Sequence, residues 1–246
     1  MIKKQGGVDV SVVIPAYNEA STIESTVHLV STTLNDITKN YEILIAEDGS
    51  TDGTACIAER LVKKYRGRVR HIHSKKRLGR GLALENALKA SKGPIVAYMD
   101  SDLATDLRHL KEIILVIRNG ADIATGSRYA TGAVTKRRPV RLVASLAFNA
   151  FVRLILGSKL RDHQCGFKAF RKSSIMKLLD SVEDKHWFWD TEVLVRAQWA
   201  GLKVVEIPVR WHYTQATKVN VVDDSKYMGL RILRLWRARF RKKNSC

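Results

Sequence analysis

Two aspartates one residue apart, Asp100 and Asp102, follow an apolar run from Ile95 to Met99. In an extended chain residues i and i+2 project to the same side, so both carboxylates can reach one cation. Magnesium and manganese are commonly held by one or two carboxylates, with substrate phosphates and water completing the shell. The same residues also read as a solvated acidic turn, with Asp102 capping a helix that begins near Asp106. A second acidic segment, Glu47-Asp48-Gly49-Ser50-Thr51-Asp52-Gly53-Thr54, has two readings as well. It is either a turn and helix cap, or a carboxylate on a nucleotide's base or ribose edge beside a metal on the diphosphate.

The elements that must carry these groups are legible as periodicity. Apolar, β-branched runs recur at Val8 to Ile14, Tyr41 to Ala46, Val69 to Ile72, Ile95 to Met99 and Asp122 to Thr125. Segments with helical spacing lie between them, at Ser21 to Leu34, Thr54 to Tyr65, Leu82 to Ala90 and Leu107 to Ile117. This alternation predicts an α/β fold with a mostly parallel central sheet covered on both faces. Ligands in such sheets bind outside the carboxyl ends of the strands, where helix N-termini aim their amides at anions. Pro15-Ala16-Tyr17-Asn18-Glu19, Glu47-Asp48 and Asp100-Ser101-Asp102 all fall there. Gly79 and Gly81, opening a helix, either form a tight turn or bring Arg80 to a donor's phosphates.

At 246 residues with no Pro/Gly/Ser-rich linker, one α/β domain is expected. The charge balance is 43 Lys and Arg against 24 Asp and Glu, a net +19 that draws anionic partners. The longest apolar stretch, Leu142 to Leu156, contains Asn149 and Arg153 and is shorter than the roughly 20 residues needed to cross a bilayer. Met1 to Asp9 is polar. A cytoplasmic protein without a transmembrane helix is therefore expected. Cys56, Cys165 and Cys246 are widely spaced and suit reduced thiols. His71 and His73 alternate on a strand, but no third metal ligand is evident and a sheet-face role is expected.

Basic segments flank the last third. Lys136-Arg137-Arg138-Pro139 precedes an apolar helical pattern. The tail from Lys226 to Lys243 sets Gly229, Ile232, Leu233, Trp236 and Phe240 near one face, with Arg231, Arg234, Arg237, Arg241 and Lys242 largely elsewhere. That is the profile of a helix lying in an anionic membrane interface, or of a core-packed helix with a solvated charge run. Residues 1–222 form the expected domain and 223–246 a basic amphipathic helix and tail. A basic nucleic-acid-binding protein is the alternative of another class. No recognition module appears, and Trp187-Phe188-Trp189 beside Asp190 and Glu192 suits a sugar or lipid pocket, so no nucleic acid is expected.

PAYNE (Pro15 to Glu19), EDGSTDGT (Glu47 to Thr54), DSD (Asp100 to Asp102) and GSRY (Gly126 to Tyr129) resemble, in order and spacing, the inverting glycosyltransferases of family 2. That resemblance implies a single Rossmann-like GT-A domain. DHQCGFKAFR (Asp162 to Arg171), WDTEVL (Trp189 to Leu194) and EIPVRW (Glu206 to Trp211), ending in Thr217-Lys218, resemble the dolichyl-phosphate glucose and mannose synthases. The likeness implies transfer of a hexose from UDP-glucose or GDP-mannose to a polyprenyl (dolichyl) phosphate, with Mg2+ or Mn2+ as cofactor. It implies nucleotide-sugar contacts at Pro15, Tyr17, Glu19, Asp48, Arg80, Asp100, Ser101 and Asp102, with Asp100 and Asp102 as metal ligands. Arg128, Arg171 and Lys218 become phosphate contacts. Asp162 and Asp190 become candidate bases, each of which could instead pair with an arginine.

Two departures narrow the resemblance. The mannose branch follows its DxD with Leu-Gln, whereas Leu103-Ala104-Thr105-Asp106 is closer to the glucose branch. Processive relatives carry QxxRW, and here Ile207 stands where glutamine would precede Arg210-Trp211. Transfer to a glycan or other hydroxyl acceptor remains the alternative within the family. A phosphate acceptor has a second pKa of about 6 and is largely a dianion at neutral pH. It needs positioning more than deprotonation.

Overall fold

Each of the five apolar runs forms a strand. The computed structural model describes residues 7–136, 139–212 and 221–241. Strands β1 (Val10–Ala16), β2 (Tyr41–Asp48), β3 (Val69–Ser74), β4 (Ile95–Met99), β5 (Ile123–Ser127), β7 (Phe167–Arg171) and β8 (Val204–Pro208) form one seven-stranded sheet in the order β3-β2-β1-β4-β7-β5-β8. The short β6 (Val134–Thr135) and β9 (Arg210–Trp211) pair separately.

All eight residues of β2 and all five of β4 are buried, as central strands covered on both faces must be. Helices α1 (Ile23–Asn35), α2 (Thr54–Lys64) and α4 (His109–Arg118) cover one face, with Val27, Leu61 and Ile113 in its core. Helices α3 (Arg80–Ala90), α6 (Lys172–Leu179) and α7 (Trp189–Trp199) cover the other, around Leu84, Leu178 and Trp189. Pro15, which cannot donate to a ladder, is tolerated because the β1–β4 pairing ends at Val13 and Tyr98.

β7 runs antiparallel to both β4 and β5. Phe167 therefore lies opposite Met99 at the carboxyl end of β4, and Arg171 lies opposite Ile95 at its start.

α5 (Pro139–Leu156) and α8 (Val221–Arg241) pack together and against α7. Val152, Leu156, Phe188, Val195, Met228, Ile232 and Leu235 form this third cluster. The C-terminal helix is thus core-packed along one side. Ile232, expected with Leu233, Trp236 and Phe240, turns inward while those three stay exposed. No helix among the described residues is long and apolar enough to cross a membrane.

Candidate active site

Two loops at the carboxyl edge are tied together by side chains. The Asn18 amide donates to Ser50 Oγ at 3.0 Å, the Thr51 amide to Asn18 Oδ1 at 2.8 Å and the Glu19 amide to Thr54 Oγ1 at 2.8 Å. Asn18 has φ of +55°, a left-handed conformation that asparagine tolerates better than most residues. These bonds fix the 15–19 loop, with Pro15, Tyr17 and Glu19, against the 47–54 loop. The Tyr17 ring lies 4.1 Å from the Arg77 guanidinium.

Asp48 is buried and accepts the Leu78 and Gly79 amides at 2.7 and 2.9 Å. It thereby sets the N-terminus of α3, where Gly79 has φ of +106° and Arg80 is the first helical residue. The glycines form the tight turn read from sequence, and that turn sets Arg80 beside Asp100.

Arg80 bridges two carboxylates. Its Nη2 lies 2.6 Å from Asp100 Oδ1 and its Nη1 lies 2.6 Å from Asp190 Oδ2. Burial opposes the guanidinium's charge, but Asp100 and Asp190 outweigh it and raise its pKa. The rings of Tyr98 and Trp187 lie 5.4 and 5.6 Å from the guanidinium. Asp190 also accepts the Tyr98 hydroxyl and sits 3.1 Å from the Lys168 ammonium. Asp190 is an inner anchor for two cations and a phenol, and burial pushes its carboxyl upward against the pull of Arg80.

Asp100 is about half exposed at the end of β4. Its amide donates to the Gly166 carbonyl at 3.1 Å, and a Cβ at position 166 would occupy the space of its carboxylate. Asp102 Oδ1 accepts the Ala104 amide at 3.0 Å, and the Ser101 carbonyl accepts Thr26 Oγ1 at 2.6 Å. Two carboxylates two residues apart, one cradled against a glycine, are an oxygen donor set suited to a hard divalent ion.

Beyond β5, Arg128 and Asp162 form a bidentate pair. Nε to Oδ2 is 2.6 Å, Nη2 to Oδ1 is 2.8 Å, and the Arg128 amide also reaches Oδ2 at 3.0 Å. Asp162 is fully buried. Burial would raise its pKa, yet Arg128 outweighs this and holds it at about 2. The Arg128 guanidinium lies 5.8 Å from each of the Tyr129 and Trp211 rings.

Arg171 does not join this group. It sits at the far end of antiparallel β7 and donates to the Ile117 and Ala121 carbonyls. Four residues of strand, about 13 Å, carry it away from the Phe167 end. The acceptor-phosphate role expected of Arg171 is corrected on that ground. The aromatic run is corrected in part as well: Phe188 and Trp189 are core residues, and only Trp187 is exposed. Lys218 lies outside the described residues.

Lys168 is the residue the sequence reading missed. Its ammonium is fully buried, donating to the Cys165 carbonyl and Tyr98 hydroxyl at 2.5 and 3.1 Å. Burial pushes its pKa down to about 7. The only signal was a lysine inside the apolar segment Gly166-Phe167-Lys168-Ala169-Phe170.

Residues 11–179 match the family model described as glycosyl transferase family 2. Over 233 residues the chain is 53% identical to glycosyltransferase AglD of Haloferax volcanii, covering 94% of this chain and 37% of that protein. It is 29% identical over 238 residues to the dolichyl-phosphate beta-glucosyltransferase of Dictyostelium discoideum, covering 92% of this chain and 73% of the relative. The human protein of the same description is 29% identical over 223 residues, with 85% and 69% covered. Among solved structures, glucosyl-3-phosphoglycerate synthase from Mycobacterium tuberculosis with Mn2+, uridine diphosphate and phosphoglyceric acid gives a TM-score of 0.68 at 18% identity. That match covers 95% of this chain and 78% of the other. Mannosyltransferase PcManGT from Pyrobaculum calidifontis, with GDP-Man and Mn2+, gives 0.64 at 17% identity, with 97% and 65% covered. The likeness to these structures is one of fold.

Proposed function

The chain belongs to glycosyltransferase family 2, and from that premise we propose that it transfers a hexose, with inversion, from a nucleotide sugar to a polyprenyl phosphate. UDP-glucose is the first donor to test. Relatives of the D. discoideum and human kind are named dolichyl-phosphate beta-glucosyltransferases, and Ala104, itself buried, stands where the mannose branch has glutamine. GDP-mannose is the second donor.

The observation that carries the reading is the Asp100–Arg80–Asp190 array at the carboxyl edge of the sheet. Asp100 and Asp102 would hold Mg2+ or Mn2+, and the Gly166 cradle around Asp100 fits that role. A divalent ion bound there supplies Lewis-acid stabilisation of the departing diphosphate. Arg80 holds the Asp100 carboxylate in place and adds positive charge beside the donor phosphates. Pro15, Tyr17, Glu19, Asp48 and Ser101 lie on or support the loops that would enclose the nucleotide.

Arg128, oriented by Asp162, is the proposed contact for the acceptor's phosphate, with Lys218 as its partner. Asp162, buried and held by Arg128, then acts by positioning and not as a base. Asp190 has the same status behind Arg80. Neither has to take a proton, because the acceptor phosphate is already a dianion near neutral pH.

Residues 223–246 are proposed to hold the enzyme at an anionic membrane surface. Val143, Phe151, Leu154, Leu230, Leu233, Trp236 and Phe240 on α5 and α8 are exposed and share these helices with Arg141, Arg153, Arg234 and Arg237. Each basic residue near an anionic surface contributes about 1 kcal/mol.

The test is a donor panel. UDP-glucose and GDP-mannose are each incubated with the protein, a short polyprenyl phosphate and manganese, and the lipid is weighed by mass spectrometry. A lipid heavier by one hexose from UDP-glucose supports the proposal. Transfer to a glycan hydroxyl with the lipid unchanged would replace it.

A further inference from the structure

Glu47 and Asp48 adjoin in sequence but face opposite sides of the sheet. Asp48 serves α3, while Glu47 projects to the face covered by α1 and α2. There it meets both histidines of β3, the neighbouring strand: Glu47 pairs in register with His73, and Ile45 with His71. Glu47 Oε2 lies 2.5 Å from His73 Nδ1 and 3.8 Å from His71 Nε2. The three donor atoms lie within 4.8 Å of one another. The third ligand that the sequence did not reveal comes from the adjacent strand.

The second observation is His71 itself. Its side chain is 9% exposed, its Nε2 is aimed at Glu47 and makes no hydrogen bond among the described residues. A buried polar atom without a hydrogen bond calls for a partner. The other Glu47 oxygen is engaged by the Ser50 amide, which leaves Oε2 as the ligating atom.

We propose that Glu47, His71 and His73 form a second metal site, one that takes a borderline divalent transition ion such as zinc. Two imidazoles and a carboxylate are the donor set such ions select, whereas the all-oxygen pair Asp100 and Asp102 suits magnesium or manganese. Tetrahedral ligation sets donor atoms ~3.4 Å apart, so the 2.5 Å contact opens and the 3.8 Å gap closes by side-chain rotation. His73 is half exposed and gives the ion its entry path. Three protein ligands leave a fourth position for water or another ligand. Glu47 is also where the 47–54 loop begins: it holds the Ser50 amide, and Ser50 Oγ receives the Asn18 amide. The ion would therefore brace the two loops at the donor edge without contacting the Asp100 site. The site does not depend on the proposed donor or acceptor.

Zinc binding by calorimetry tests this in the full chain carrying Asp100→Asn and Asp102→Asn, so that the carboxylate pair is removed. The expected result is one equivalent of zinc bound, and a cobalt complex with the visible absorption of a four-coordinate nitrogen and oxygen site. Adding His73→Ala should weaken zinc binding about ten-fold or more and reduce the zinc-induced rise in melting temperature. His73 is half exposed, so this variant keeps its fold, which circular dichroism checks; His71→Gln provides the second ligand deletion. Absence of stoichiometric zinc binding in the Asp100→Asn, Asp102→Asn protein would overturn the proposal, as would equal affinity with and without His73.

Discussion

Arg80 Nη2 lies 2.6 Å from Asp100 Oδ1, and this contact joins the exposed edge of the site to a buried charge network. Behind Arg80 stands Asp190, and behind Asp190 stands Lys168. The position of Asp100 is thus set from the protein interior as well as by its own strand.

Lys168 should make the rate respond to pH. Burial brings its pKa to about 7. Above that value Asp190 loses one of its two counter-charges and draws more strongly on Arg80, loosening the hold on Asp100. The expected outcome is an inflection in kcat/KM near pH 7 that disappears in Lys168→Met. An identical profile in wild type and variant would show that this network does not reach the site.

Gly166→Ala should disable the enzyme without unfolding it. The added Cβ would claim the space of the Asp100 carboxylate, and displacing a reacting group by about 1 Å costs on the order of 100-fold in rate. Steady-state kcat with circular dichroism as the fold control measures this.

The Arg128–Asp162 pair should appear in acid stability. Asp162 is held at about 2 against its ordinary 3.8. A depressed carboxylate stabilises the fold above its unfolded pKa, and that stability, about 2 kcal/mol, is lost as pH falls from about 4 to about 2. The melting temperature should fall steeply with pH across that window for wild type and change little for Asp162→Asn. At neutral pH the variant should lose about 3 kcal/mol or more, because Arg128 is left buried and unpaired.

Much of this site was legible from strand ends alone. Asp48, Asp100 and Asp102 follow apolar runs, and a parallel sheet brings such ends to one edge. Arg80 was legible through the glycines around it. Strand direction was not: DHQCGFKAFR gives no sign that β7 runs antiparallel, which carries Arg171 to the far end of the sheet and sets Lys168 opposite Tyr98. Nor did sequence reveal register between neighbouring strands, which is what brings Glu47 to His71 and His73. The apolar spacing of the tail predicted an amphipathic helix, but a helix buried on one side and apolar on part of the other reads as a single face until its partner, α5, is known.

Charge and apolar exposure on that helix pair lead to another expectation. Leu154 and Leu230 are 84% and 69% exposed, and burying such a side chain fully contributes about 1.5–3 kcal/mol. Leu154→Glu with Leu230→Glu should reduce flotation with anionic vesicles at least about ten-fold, while leaving circular dichroism unchanged. Undiminished flotation would remove α5 and α8 from membrane contact.

The most direct measurement is transfer of radiolabelled glucose from UDP-glucose to polyprenyl phosphate, followed by organic extraction, in wild type and in Asp100→Asn, Asp102→Asn protein. Label should enter the lipid phase as a hexosyl phosphate in wild type and fall about 100-fold or more in the variant. Label confined to the aqueous phase, or a variant as active as wild type, would contradict the account.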